Sequence, residues 1–119
     1  MAKTKFYTYV QNNSGGSFTI SEKDGICEYV IIEAANASQA NARAEEIGLY
    51  FNGCSDERDC PCCGDRWYSA SESDGSGVPT IYSNPVENVQ KDIFINRCFI
   101  HYLDGTIKKV ELFESAKML

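Results

Sequence analysis

The chain has 119 residues, 43% hydrophobic and 24% charged, a composition suited to one globular domain that closes its core without obligatory cross-links. Eleven basic residues against seventeen acidic ones give a net charge of −6, which disfavours a protein that grips nucleic acid through its phosphates. No apolar run is long enough to cross a bilayer, so a soluble protein without membrane contact is expected.

The opening stretch, Met1 to Tyr7, shows neither the apolar segment nor the cleavage site of an export signal. A reducing compartment follows as the expectation, and in it six cysteines are thiols or metal ligands rather than disulfides. Lys5 to Val10 is rich in aromatic and β-branched residues and predicts a strand, ended by the turn-forming run Gln11 to Gly16. Phe18 to Ile20 reads as a short second strand. Glu22 to Gly25 turns the chain into a third, Ile26 to Glu33, and three antiparallel strands are the simplest account.

The period then changes. Ala37, Ala40, Ala44 and Ile47 recur at helical spacing, with Asn36 or Ser38 placed to cap the start and Gly48 the end, so a helix is predicted over about 37–47. Its alanine face suits close packing on a sheet. Residues 52–77 are the least regular part and end in a Ser/Gly-rich segment read as a flexible exit. Val78 to Tyr82 reads as a short edge strand, because Pro79 removes a ladder donor, and Asn84-Pro85 as a turn away from it. Ile93 to Leu103, Asp104-Gly105 and Thr106 to Phe113 form a hairpin signal, and a two-residue turn sets His101 opposite Lys108 and Phe99 beside Val110. Both hairpin faces are apolar. The helix can cover one, and the cysteine loop or a second subunit in a homodimer the other.

The expected fold is therefore α+β: a small antiparallel sheet with one packed helix, a cysteine-rich knuckle loop and a C-terminal β-hairpin, in a single domain spanning 1–119.

The densest chemistry is Cys-Pro-Cys-Cys-Gly-Asp-Arg-Trp at 60–67. Cys60 and Cys63 have the C-x-x-C spacing that supplies half of a tetrahedral zinc site, and Gly64 permits the tight turn behind it. Cys54 is the next ligand candidate. Cys62 is a poor co-ligand beside Cys63, and Cys27, Cys98 and His101 are distant. Cys98 and His101, three apart on a strand, point to opposite faces and do not form a ligand pair. A fourth ligand is unassigned, so Zn2+ competes with a reduced cysteine turn that packs Trp67 and Tyr68 against the fold. A redox C-x-x-C is a third reading, without an evident helix N-terminus to lower a thiol pKa.

Between Asp56 and Asp74 six carboxylates face two arginines, so four of the six net negative charges lie there. A solvated loop is the ordinary explanation. A contact surface for a basic partner, using Asp56, Glu57, Asp59 and Asp65, is the functional one. The loop Asn12, Asn13, Ser14, Gly15 and Gly16 either closes a hairpin or offers amides to an anion or nucleotide, although it matches no phosphate-binding fingerprint. Lys3, Lys5, Arg66, Lys108 and Lys109 are the cations that can converge on such a ligand. His101 is the sole histidine, and a structural role in its strand is the plainer reading. No nucleophile elbow or carboxylate pair stands out, and a non-enzymatic protein is expected.

The blocks Lys5 to Phe18 and Cys60 to Trp67, joined by the strand-helix stretch Val30 to Gly53, resemble a family of small, largely uncharacterised bacteriophage proteins. The resemblance implies a phage-encoded accessory protein acting in the host bacterial cytoplasm. Such proteins commonly bind and inhibit a host protein or complex, including defence systems. An anti-CRISPR-like inhibitor would use the acidic stretch; a protein that sequesters a small nucleotide immune signal would use the Asn12 to Gly16 loop. A zinc-stabilised binding or regulatory module of the phage cycle is the alternative.

Overall fold

Residues 4–12, 19–55, 64–81, 84–85 and 97–111 are described by the structure, a computed structural model. Strand β1 (Lys5–Val10) forms where the sequence predicts it, and pairs antiparallel with β2 (Tyr29–Ala34) from Lys5↔Ala34 to Val10↔Tyr29. Alternation along β1 sends Tyr7 and Tyr9 into the core, while Phe6, Thr8 and Val10 lie half-buried on the other face. Strand β2 does not alternate. Its first four residues, Tyr-Val-Ile-Ile, are all buried, as a strand covered on both faces requires.

The neighbour on the second side of β2 is β5 (Arg97–His101), which pairs with it in parallel through Val30↔Phe99, Ile31↔Ile100 and Ile32↔His101. β5 in turn pairs antiparallel with β6 (Ile107–Glu111), giving the order β1-β2-β5-β6. The fold is α+β as expected. Its sheet is mixed rather than antiparallel, because the C-terminal hairpin adds to the far side of β2.

Helix α1 (Ala37–Ile47) supplies the crossover cover and has the predicted bounds. The Asn36 side chain accepts from the Gln39 amide at 2.8 Å, and the Glu72 carboxylate accepts from the Ala37 amide at 2.7 Å. Two orphan donors of the first turn are thus satisfied, one by a carboxylate placed at the positive end of the helix. At the other end the Gly48 and Leu49 amides donate to the carbonyls of Glu45 and Ala44. Ala37, Ala40 and Ala44 are buried against Tyr7, Tyr9, Val30 and Ile32, with Leu49 and Trp67 in the same core. Trp67 is 2% exposed, so the residue expected to be seated by the cysteine turn is seated. Tyr68, expected beside it, is 58% exposed.

The opposite face of the sheet buries Tyr29, Ile31, Cys98 and Ile100 together with Ile81 of β3 (Thr80–Ile81), which pairs with β4 (Asn84–Pro85). Asn84-Pro85 is thus the partner of the short edge strand and not a turn away from it. Phe6 and Tyr102 meet edge to face, ring centroids 6.1 Å apart. Each full burial of an isoleucine here stabilises the fold by about 1.5–3 kcal/mol before chain entropy is subtracted. Burial, with Cys27 nearby, pushes the Cys98 thiol up to about 12.

The structure changes two further expectations. The hairpin register is shifted by one, with His101 opposite Ile107 and Cys98 opposite Val110. The loop has three residues rather than two, since Tyr102 and Thr106 close it and Gly105 (φ 96°) takes the left-handed position. The predicted strand at 18–20 is not one at Thr19 and Ile20, and Phe18 lies outside the described residues. Thr19 is held instead by Gln11, whose Oε1 accepts from the Thr19 amide at 2.6 Å and whose Nε2 donates to the Thr19 carbonyl at 3.0 Å. A side-chain amide does the work of a ladder residue.

Gly25 and His101 fix the approach of the 22–25 turn to the sheet. Gly25 has φ 74°, and a Cβ there would lie 2.7 Å from both Cε1 and Nε2 of His101. The His101 ring donates from Nε2 to the Gly25 carbonyl at 2.8 Å and is 1% exposed. Burial lowers its pKa, partly opposed by that hydrogen bond, and Arg43 lowers it further. Gly25→Ala should therefore cost on the order of 2–3 kcal/mol, read as a lower denaturant midpoint with an unchanged slope; a midpoint equal to wild type would refute the close approach. Because the folded pKa lies below the unfolded value of 6.5, His101's contribution is intact above pH 6.5 and is lost as pH falls from there through the folded pKa. NMR titration of the single imidazole should give a midpoint below 6.5, and a midpoint at or above 6.5 would contradict the burial.

Candidate functional site

Strand β1 is an edge strand of the four-stranded sheet, and a cleft forms along its outer side. Its odd residues bond inward to β2, a pattern continued by the Gln11 amide donating to the Glu28 carbonyl at 2.8 Å. The main-chain groups of Phe6, Thr8, Val10 and Asn12 therefore point outward. Phe6 exchanges two hydrogen bonds with Ser76, at 2.7 and 3.0 Å, and the Asn12 amide donates to the Arg66 carbonyl at 2.9 Å. Between those two ties the 67–75 segment bows away from the strand. Thr8 and Val10 face the space left, and among the described residues no partner meets their outward main-chain groups.

The result is a cleft of about 530 Å³ whose outer wall includes Tyr68, Ser69, Ser73, Asp74 and Ser76. The wall is held from behind. Asn41 of α1 accepts from the Ala70 amide at 2.8 Å, donates to the Ala70 carbonyl at 3.0 Å, and accepts from the Tyr9 hydroxyl at 2.7 Å. Glu72 links the same segment to the helix start, and Asp74 closes a capping box by accepting from the Ser71 amide at 2.8 Å. On the near side the Thr8 hydroxyl donates to the Thr80 carbonyl at 2.6 Å. Burial, then Tyr7 and Asp74, keeps the Tyr9 phenol protonated well above the usual tyrosine range.

Asp74 is the one charged residue among the described lining residues. At one end the Lys5 side chain lies against Gly75, and at the other the Arg66 carbonyl forms the tie to Asn12. Arg66 donates to Gln11 Oε1 at 3.0 Å and to the Tyr50 hydroxyl at 3.3 Å. Lys108 and Lys109 are on β6 at the opposite edge of the sheet, so they do not converge with these two. Lys3 lies outside the described residues.

Of the ligand-loop residues predicted from sequence, Asn12 closes one end of the cleft and its Nδ2 donates to the Asp65 carbonyl at 3.2 Å. Asn13, Ser14, Gly15 and Gly16 lie outside the described residues. So do Cys60 and Cys63, and Asp56, Glu57 and Asp59. Cys54 is a half-buried thiol whose amide donates to Asp65 Oδ1 at 2.9 Å, which brings it to the residues that directly follow the cysteine knuckle. Asp65 is accordingly turned inward to the chain on at least one carboxylate oxygen. Cys27, in the bend before β2, and Cys98 of β5 are both buried, and His101 points to the opposite face of β5 from Cys98, bonded to Gly25. Among the described residues no group of three metal-ligating side chains gathers.

The sequence marks Tyr68 and Asp74 only as a packing aromatic and as part of the acidic stretch, and residues 71–77 resemble a flexible exit, so the wall they form is not anticipated. The signal that identifies them is Ser71-x-x-Asp74, a capping pattern that marks an ordered turn. A second cleft, of about 360 Å³, lies between α1 and the hairpin loop and includes Glu33, Arg43 and His101. Its polar groups are largely engaged: Glu33 accepts from Thr4 and from the Leu103 amide, and Arg43 pairs with Glu46 at 3.2 Å.

Among the described residues no helix is long and apolar enough to cross a membrane. No curated protein and no solved structure matches the chain. Residues 4–118 match the family model described as Domain of unknown function (DUF7296), and the chain belongs to that family.

Proposed function

We propose that this protein is a phage-encoded, non-enzymatic accessory protein of the host bacterial cytoplasm, and that it inhibits a host component by binding a small polar molecule in the β1 cleft. An immune signal held away from its receptor is the form of inhibition this favours. The observation that carries the reading is the open stretch of strand edge at Thr8 and Val10. Polar main-chain groups fixed by a rigid ladder, beside an exposed tyrosine and a wall pinned to the helix, make a preorganised site. The described lining residues offer hydroxyls and one carboxylate, a set suited to holding a polar ligand.

The zinc-stabilised module remains as a second reading, favoured by the position of Cys54 against Asp65 at the end of the knuckle. In that reading Cys60, Cys63 and Cys54 hold a structural metal and the bound form is a regulatory surface. An acidic protein-binding surface at Asp56, Glu57 and Asp59 is compatible with either.

Two experiments separate these readings. Protein incubated with small-molecule extract of infected cells, desalted and denatured, should release a compound seen by mass spectrometry, and Tyr68→Ala should reduce its recovery at least about fivefold, as loss of roughly 1 kcal/mol of stacking requires. Equal recovery from the variant would remove the cleft from the proposal. For the second reading, purified protein should contain one zinc per chain, and chelation should lower the unfolding midpoint; no metal and an unchanged midpoint would sink it.

A further inference from the structure

We infer that the β1 cleft reads an amino-substituted nucleobase, such as adenine, by its hydrogen-bonding edge: the Thr8 carbonyl accepts from the exocyclic amine, the Val10 amide donates to the adjacent ring nitrogen, and Tyr68 stacks on the ring. This rests on the proposal that the cleft is the binding site, and adds what the site recognises.

A carbonyl at one residue and an amide hydrogen two residues on point the same way from a strand edge, as Thr8 and Val10 do here. They are a fixed acceptor and donor side by side, complementary to a flat heterocycle that carries a donor next to an acceptor. An extended peptide would also satisfy a strand edge, but the two ties exclude it. Phe6 is already paired with Ser76 and Asn12 with Arg66, so an added strand would collide with this chain's own backbone after about two residues, roughly 7 Å. The occupant must be compact, and a cleft of about 530 Å³ is the size that takes a nucleoside.

Charge then selects the kind of edge. No cation is among the described lining residues and Asp74 is there, so the interior favours a neutral, donor-bearing group over a phosphate. Lys5, whose side chain lies against Gly75, stands at one end, where the charged part of a nucleotide would emerge. Tyr68, 58% exposed on the wall, supplies the aromatic face that bases stack on.

The test is titration of the full-length protein with adenosine and with inosine, which has a carbonyl in place of the amine, followed by amide NMR and calorimetry. Adenosine should shift the Val10 amide, bind at least about tenfold more tightly than inosine, and lose affinity in Tyr68→Ala. Equal affinity for the two nucleosides, or binding that leaves the Val10 amide unmoved, overturns the inference. Should the molecule captured from infected cells carry no nucleobase yet depend on Tyr68, the cleft stands as the site and base recognition falls. If neither nucleoside nor any extracted molecule binds, both fall.

Discussion

The structure turns on the buried amide of Gln11, which is 5% exposed. Its Nε2 donates to the carbonyls of Thr19 and Cys27, and its Oε1 accepts from the Thr19 amide and from Arg66. All four hydrogen-bonding positions of the side chain are used, so the cost of taking an amide out of water is offset in full. Three segments distant in sequence are brought to one point at the end of β1. An apolar residue of the same size would leave the Arg66 guanidinium and three main-chain groups to find other partners.

That junction decides the path of the chain after the knuckle. Arg66 bonds to Gln11 and its carbonyl to Asn12, so Trp67 enters the core beside α1 and the following residues are committed to the outer edge of β1. They return to the strand only at Ser76. An exposed strand edge is an aggregation hazard, and proteins ordinarily cover or pair it. Here, among the described residues, it is covered at both ends and left open in the middle, with the opening walled by hydroxyls and a carboxylate. The helix caps Asn36 and Glu72 and the side chain of Asn41 hold that wall, so the same groups that begin α1 also shape the cleft.

Local periodicity made parts of this fold legible in advance. Helix α1 could be bounded from its alanine spacing and its capping residues, and β1 from its composition. The hairpin was visible too, but its register depended on whether Asp104-Gly105 forms a two- or three-residue loop, a difference of one residue that composition does not encode. Parallel pairing of β2 with β5 is a contact across about seventy residues, and only the unbroken apolar run at 29–32 hinted at a strand with two neighbours. The cleft was hidden for a similar reason. Its strand contributes backbone rather than side chains, and its wall comes from a segment whose serines and glycines look unstructured when read alone.

Parallel pairing of β2 with β5 also has a kinetic consequence. The centre of the sheet joins residues 30–32 to residues 99–101, so β1, β2 and α1 leave the ribosome well before the strand that completes them. Until then Ile31 has no β5 neighbour, and the nascent sheet exposes β2 as a sticky, apolar border. Non-local parallel pairing of this kind is slow compared with local helix formation. The nascent chain therefore carries an apolar strand border until residues 97–111 dock on it.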